Sequence, residues 1–293
     1  MLNTIQRLRR SLIKKFLTLN GYPKNHIIHY LFDGVRVDPV YEERPLTYKI
    51  YYKKEVITTK SLYDFRKNIK TPEDVYIIGS GPSIKTQPIN QIADKTIFLL
   101  NGAVKLIEMF GINPIGVVII DGSFIRKNAK MLSSIPKTTN LFLSFFAIKE
   151  IINFAPQLLQ NPIYLVHELK FDSDAIPITL DQKLSQFDKP TWGVFDGGTV
   201  MSVAIQLSAF IRAKNVWLLG LDISNSNKEP RFYENKRNVC RSSLLSDYEH
   251  KILPFMIVTK KWYEKNSLNI YNCSPISKVP RDVIPFRDFS SSL

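Results

Sequence analysis

Seven short apolar runs mark out this chain from its first quarter to its C-terminal end: VYII (75–78), TIFLL (96–100), IGVVII (115–120), NLFLSFF (140–146), PIYLVH (162–167), VWLLGLD (216–222) and LNIYN (268–272). Most are continuous rather than alternating, the pattern of strands buried on both faces of a parallel sheet. Helical stretches separate them: one from Asn101-Gly102 to Phe110, one near Phe124–Leu132, a long one from Thr199 to about Ala213, and one over 246–265. Strands alternating with helices predict an α/β fold, a mostly parallel Rossmann-like sheet with helices on both faces. A polar stretch from Glu168 to Phe195 is expected to be irregular.

Ahead of the sheet the pattern changes twice. Residues 1–22 read as a basic amphipathic helix, with Leu2, Ile5, Leu8, Leu12, Phe16 and Leu19 at helical spacing and Arg7, Arg9, Arg10, Lys14 and Lys15 uncompensated by any acid. Such a helix either lies on an anionic membrane surface or packs on its own domain with a solvated basic face. Residues 23–72 form an N-terminal elaboration, with a hairpin in LTYKIYYKKEVITT turning at Lys53-Lys54. Lys70-Thr71-Pro72-Glu73 is the junction to the main domain, 73–293, in which the charged segment near 224–245 is expected to be a lid or acceptor loop.

Composition narrows the partner more than the fold. The chain has 293 residues, 44% of them hydrophobic, and a net charge of +14, which calls for an acidic partner such as a phosphorylated or carboxylated substrate, an anionic membrane or nucleic acid. Cys240 and Cys273 are too few for a disulfide framework and lack metal-ligand spacing. No apolar run reaches the roughly 18 residues of a spanning helix, and the N-terminus lacks a signal-peptide pattern. A cytoplasmic protein is expected, with a membrane surface as one place for it.

Candidate chemistry collects at the strand ends. The first run ends in Gly79-Ser80-Gly81-Pro82-Ser83, a tight turn where open α/β sheets bind nucleotides. Ile84 stands where the dinucleotide fingerprint needs a third glycine, so a mononucleotide fits better. Asn101-Gly102, Asp121 and Asp222 end other strands at the same edge, where each is either a ligand contact or an ordinary turn residue. Gly197-Gly198-Thr199 opens a helix whose N–H groups can take a phosphate or carboxylate, or Thr199 simply caps it with help from Asp196. Together these describe one nucleotide-binding domain. Of the four histidines, His26 and His29 precede the sheet, His167 closes a strand, and His250 precedes the last helix.

GLDIS (220–224), PRFYENK (230–236), HKILPFM (250–256), LNIYNCS (268–274) and RDVIPF (281–286) resemble the C-terminal half of the lipopolysaccharide core-region Kdo (3-deoxy-manno-octulosonic acid) transferases, the type that adds an extra Kdo to the inner core. The glycine turn, Asn101-Gly102 and the unit GTVMSVAIQLSAFIRAKNVWLLGLD are similar to the same family, and more loosely to bacterial lipooligosaccharide sialyltransferases. The resemblance covers about residues 75–286 and leaves out 1–70.

The resemblance implies a glycosyltransferase-A-like domain, a CMP-sugar donor, CMP-Kdo, a lipopolysaccharide core acceptor and a peripheral place on the inner face of the inner membrane, with no metal or other cofactor. It implies donor contacts at Gly79, Ser80, Gly81, Pro82, Ser83, Asn101, Gly102, Asp121, Gly198, Thr199 and Asp222, and acceptor contacts at Arg231, Tyr233 and Lys236. His250 sits where the sialyltransferases carry their catalytic histidine; Asp121 and Asp247 compete with it as the base. The sialyltransferases usually have Asn between the first two glycines; Ser80 is shorter, which puts that amide contact in doubt. Two other functions stay open: a CMP-sialic acid-dependent sialyltransferase, and a basic nucleotide- or nucleic-acid-binding module. The last lacks any RNP, zinc-finger or helix-turn-helix signature.

Overall fold

The computed structural model describes residues 4–21, 34–40, 47–166, 168–169, 179–224, 226, 231–234 and 242–289. Helix α1 (Thr4–Leu19) is followed by an antiparallel meander of β1 (Val35–Val40), β2 (Thr47–Tyr52) and β3 (Glu55–Thr58), in which Lys53 takes the left-handed conformation at the turn. Val35, Ile50 and Ile57 of the meander share a core with residues of the main sheet, so the elaboration is packed onto it. Helix α2 (Leu62–Asn68) leads into that sheet, capped at its start by Ser61, whose side chain accepts from the Tyr63 N–H.

The main sheet has seven strands, all parallel. β4 (Asp74–Ile78), β5 (Ile97–Leu100), β6 (Gly116–Ile119), β7 (Asn140–Leu143) and β8 (Ile163–Leu165) are laid down in order to one side. β11 (Asn215–Leu219) and β12 (Asn269–Asn272) then add to the other side of β4, giving the order β12-β11-β4-β5-β6-β7-β8. The direction of build-up reverses between β4 and β11, which makes that junction the topological switch point. Between these strands, β9 (Glu168–Leu169) and β10 (Val194–Phe195) pair parallel to each other as a separate two-stranded ribbon. Helix α6 (Leu180–Gln186), with a Thr179–Gln182 capping box, also falls inside the stretch expected to be irregular.

Strand alternation explains the two-sided core. Val75 and Ile77 point to one face, against α7 (Val200–Phe210) and α8 (Leu253–Lys265); Tyr76 and Ile78 point to the other, against α3 (Lys105–Phe110), α4 (Gly122–Asn128) and α5 (Phe145–Phe154). Both faces are covered, as the continuous apolar runs predict. One run is cut short: in NLFLSFF the strand ends at Leu143, because the Ser144 hydroxyl caps α5 by accepting from the Ala147 N–H. The helix expected over 246–265 also differs, since Tyr248–Ile252 form a π-turn before α8 begins. Among the described residues no helix is long and apolar enough to cross a membrane.

Candidate active site

A crevice of about 390 Å³ opens at the carboxyl edge of the sheet, at the switch point. Its first wall is the turn after β4. The ladder between β4 and β11 runs on past both strands: the Gly79 N–H donates to Leu219 O (2.8 Å) and the Gly81 N–H to Gly220 O (3.1 Å). The glycines serve this approach. A Cβ on Gly81 would lie 2.3 Å from Asp222 Oδ2 and 2.7 Å from Gly220 O, a clash no rotamer relieves.

Asp222 closes the same joint. It is buried, its Oδ2 accepts from the Ser83 N–H (2.7 Å), and its Oδ1 accepts from the Ser83 hydroxyl (2.8 Å). The sequence assigns both residues to the donor. Ser83 does not line the crevice; Asp222 does, and each of its carboxylate oxygens accepts a hydrogen bond from Ser83. They lock the β4 turn to the β11 turn.

Asn101 and Asp121 line the crevice. Asn101 holds a left-handed φ of 46°, and its Oδ1 is buried with no hydrogen-bond partner among the described residues. Asp121 caps α4, with Oδ1 accepting from the Ser123 N–H (2.8 Å) and Oδ2 from the Ser123 hydroxyl (2.7 Å). Gly102 is not in the lining; the Tyr233 ring covers it so closely that a Cβ would fall 1.8 Å from a ring carbon.

The segment 231–234 forms the cover. The Phe232 N–H donates to Ser80 O (3.1 Å), Tyr233 sits on Gly102, and Arg231 lines the crevice. Glu234, which the sequence does not single out, accepts from the Arg231 N–H (3.1 Å) and guanidinium (2.9 Å) with a side chain only 5% exposed, and it too lines the crevice. Lys236 lies outside the described residues, as do His26, His29, His167 and Cys240.

The second wall carries the charge. Gly198 adopts a φ of 69°, and its N–H donates to Asp196 Oδ1 (2.9 Å), while the Gly197 N–H donates to the Ser202 hydroxyl (3.3 Å). Thr199 caps α7 by accepting from the Met201 N–H (3.3 Å). The glycine N–H groups expected to take an anion are therefore engaged internally. A cation stands beside them instead: Lys251 Nζ lies 3.0 Å from Asp196 Oδ2, and both residues line the crevice.

Lys251 belongs to the π-turn, whose first residue follows Asp247, also in the lining. In such a turn a residue four positions on stays near the same face, whereas one three positions on is rotated about a third of a turn away. Asp247 and Lys251 accordingly share the crevice, and His250, the catalytic candidate from the sequence, is exposed and outside its lining. Burial pushes the Tyr248 phenol up, so it stays protonated and anchors the turn by donating to Lys278 O (2.8 Å). Among the described residues no group of three or more His, Cys, Asp or Glu is placed to hold a metal.

The chain is an α/β protein with a seven-stranded parallel sheet and a mixed-charge crevice at its switch point, the place where open parallel sheets hold their ligands. The chain belongs to the 6-hydroxymethylpterin diphosphokinase MptE-like family, whose model matches residues 50–228. It is also similar to two curated proteins named "Probable 3-deoxy-manno-octulosonic acid transferase". The protein from Salmonella typhimurium is 24% identical over 242 residues, covering 74% of this chain and 87% of the relative. The one from Escherichia coli is 26% identical over 244 residues, covering 74% and 83%. Among solved structures, the MAf glycosyltransferase of Magnetospirillum magneticum AMB-1 superposes with a TM-score of 0.48 at 14% identity, over 76% of this chain and 35% of that longer protein. A match of that quality carries no functional argument.

Proposed function

We propose that the protein is a glycosyltransferase that moves Kdo from CMP-Kdo to a lipopolysaccharide inner-core acceptor. One observation carries this reading: the stretch 231–234, part of PRFYENK, folds onto the β4 turn and closes the crevice. One of the segments that resemble Kdo transferases thus supplies a wall of the nucleotide-type site. The family match over 50–228 ends before Arg231 and covers the more general part of the fold, which is why the pyrophosphoryl chemistry in the family's description is not preferred.

In this reading CMP sits against the β4 turn, with Asn101 Oδ1 free to accept from a base or ribose donor. The acceptor hydroxyl attacks the anomeric carbon of Kdo as the bond to the CMP phosphate breaks, through an oxocarbenium-like transition state. The hydroxyl proton passes to a carboxylate, Asp121 or Asp247, both of which line the crevice. Arg231 and Lys251 offset charge developing on the departing phosphate.

The test is incubation of the purified chain with an inner-core acceptor and, separately, CMP-Kdo, CMP-sialic acid, or ATP with 6-hydroxymethylpterin. Mass addition of Kdo to the acceptor is the expected result. Sialic acid transfer alone, or pyrophosphoryl transfer from ATP to the pterin with release of AMP, overturns the proposal.

A further inference from the structure

Helix α1 leaves an apolar face uncovered. Among its described side chains Leu17 is buried and Ile13 half-buried, one turn apart, and they define its inward side. Leu8, Leu12, Phe16 and Leu19 are 60%, 67%, 64% and 78% exposed, more than any other large apolar side chain among the described residues. At about 100° per residue these four fall in a stripe about 80° wide, turned away from Leu17. The helix therefore does not bury this stripe against the protein's own domain.

The flanks of the stripe are basic. Arg9 borders one side and Lys15 the other, both exposed. The first acidic residue in the chain is Asp33, so nothing within the helix neutralises its cations. A second copy docking on this face would bring like charges together, whereas an anionic bilayer complements both the stripe and its flanks. Sixteen residues span about 24 Å, short of the roughly 30 Å hydrocarbon core, so the geometry suits lying in the interface and not crossing it.

We propose that α1 docks in the plane of an anionic phospholipid surface, with Leu8, Leu12, Phe16 and Leu19 at the headgroup–acyl boundary and Arg9 and Lys15 at headgroup level. The inference is independent of which donor the crevice takes. If the acceptor is lipid-linked, it gives the chain its means of reaching it.

The experiment is co-sedimentation of the full chain with vesicles of phosphatidylcholine alone and of phosphatidylcholine mixed with phosphatidylglycerol. The chain should sediment with the mixed vesicles, stay largely in solution with the neutral ones, and be released as salt is raised. Leu12→Asp with Phe16→Asp should weaken binding about tenfold or more, while circular dichroism and the melting transition stay those of the parent, because both side chains are exposed. Binding unchanged by the double substitution overturns the proposal. So does a parent chain that ignores both vesicles, or one that forms a dimer which the double substitution dissociates while no vesicle binding occurs. CMP binding measured on the same samples separates a failure here from a failure of the glycosyltransferase reading.

Discussion

The two glycine turns of the crevice look alike in sequence and are built for different ends. At Gly79–Ser83 the glycines admit a neighbouring loop: Gly220 O and the Asp222 carboxylate occupy the space that side chains would fill. The carboxylate is buried and bonded to Ser83, so its charge is used inside the protein. At Gly197–Thr199 the carboxylate of Asp196 faces the crevice beside Lys251, and the side chains of the pair remain 27% and 45% exposed. Glycine content alone points to a phosphate in both places. The contacts show that one turn is a joint and the other a charged wall.

The largest test of that contrast is Asp222→Ala. Removing the carboxylate strands the Ser83 N–H and hydroxyl in a buried position, at about 2–4 kcal/mol. Denaturant unfolding should show a lower midpoint with an unchanged slope, and CMP affinity should fall only as far as the native population does. An Asp222→Ala chain of parental stability that no longer binds CMP would make Asp222 a ligand contact and erase the distinction between the turns.

Much of the frame is legible in the sequence, because a strand buried on both faces must be apolar throughout. VYII, TIFLL and VWLL sit where the runs place them, within a residue or so. NLFLSFF misleads because Phe145 and Phe146 are apolar for the sake of a helix, and only the Ser144 cap marks the change. The site is less legible. Its first wall announces itself by glycine, but Lys251, Asp247 and Glu234 come from distant segments and reach the crevice through a π-turn and a folded-back loop. A signal for Lys251 exists in HKILPFM, directly beside His250; what the sequence does not show is the wider turn that swings one residue in and the other out.

Lys251→Met addresses the second wall. The ion pair with Asp196 is partly solvated, so its loss should change stability by less than about 1 kcal/mol. If Lys251 neutralises a ligand phosphate through a charge-assisted bond, the Kd for CMP by titration calorimetry should rise about tenfold, with partial recovery in Lys251→Arg. Equal affinity in the parent and Lys251→Met would reduce the second wall to a second structural joint.

The smallest effect probes the rigidity of the first wall from behind. Cys273 is buried next to that joint: its N–H donates to Leu218 O (2.8 Å), and its carbonyl accepts from Gln87 Nε2 (2.7 Å), just past the 3-10 turn that carries Ser83. Burial, reinforced by Asp288 and opposed by Arg287, pushes its thiol up to about 12 from an ordinary value of 9.0. A folded-state value above the unfolded one means that the thiol favours the native state fully below about pH 9 and ceases to do so as pH rises toward 12. Near neutrality, then, Cys273 should contribute no pH dependence, and it should resist an aromatic disulfide reagent in a Cys240→Ser background until denaturant is added. Asp222→Ala in that background should speed labelling by releasing the joint, whereas Lys251→Met should not. Rapid labelling of Cys273 without Asp222→Ala would show that the first wall opens on its own, and the contrast between a locked turn and a charged one would then be a difference of degree.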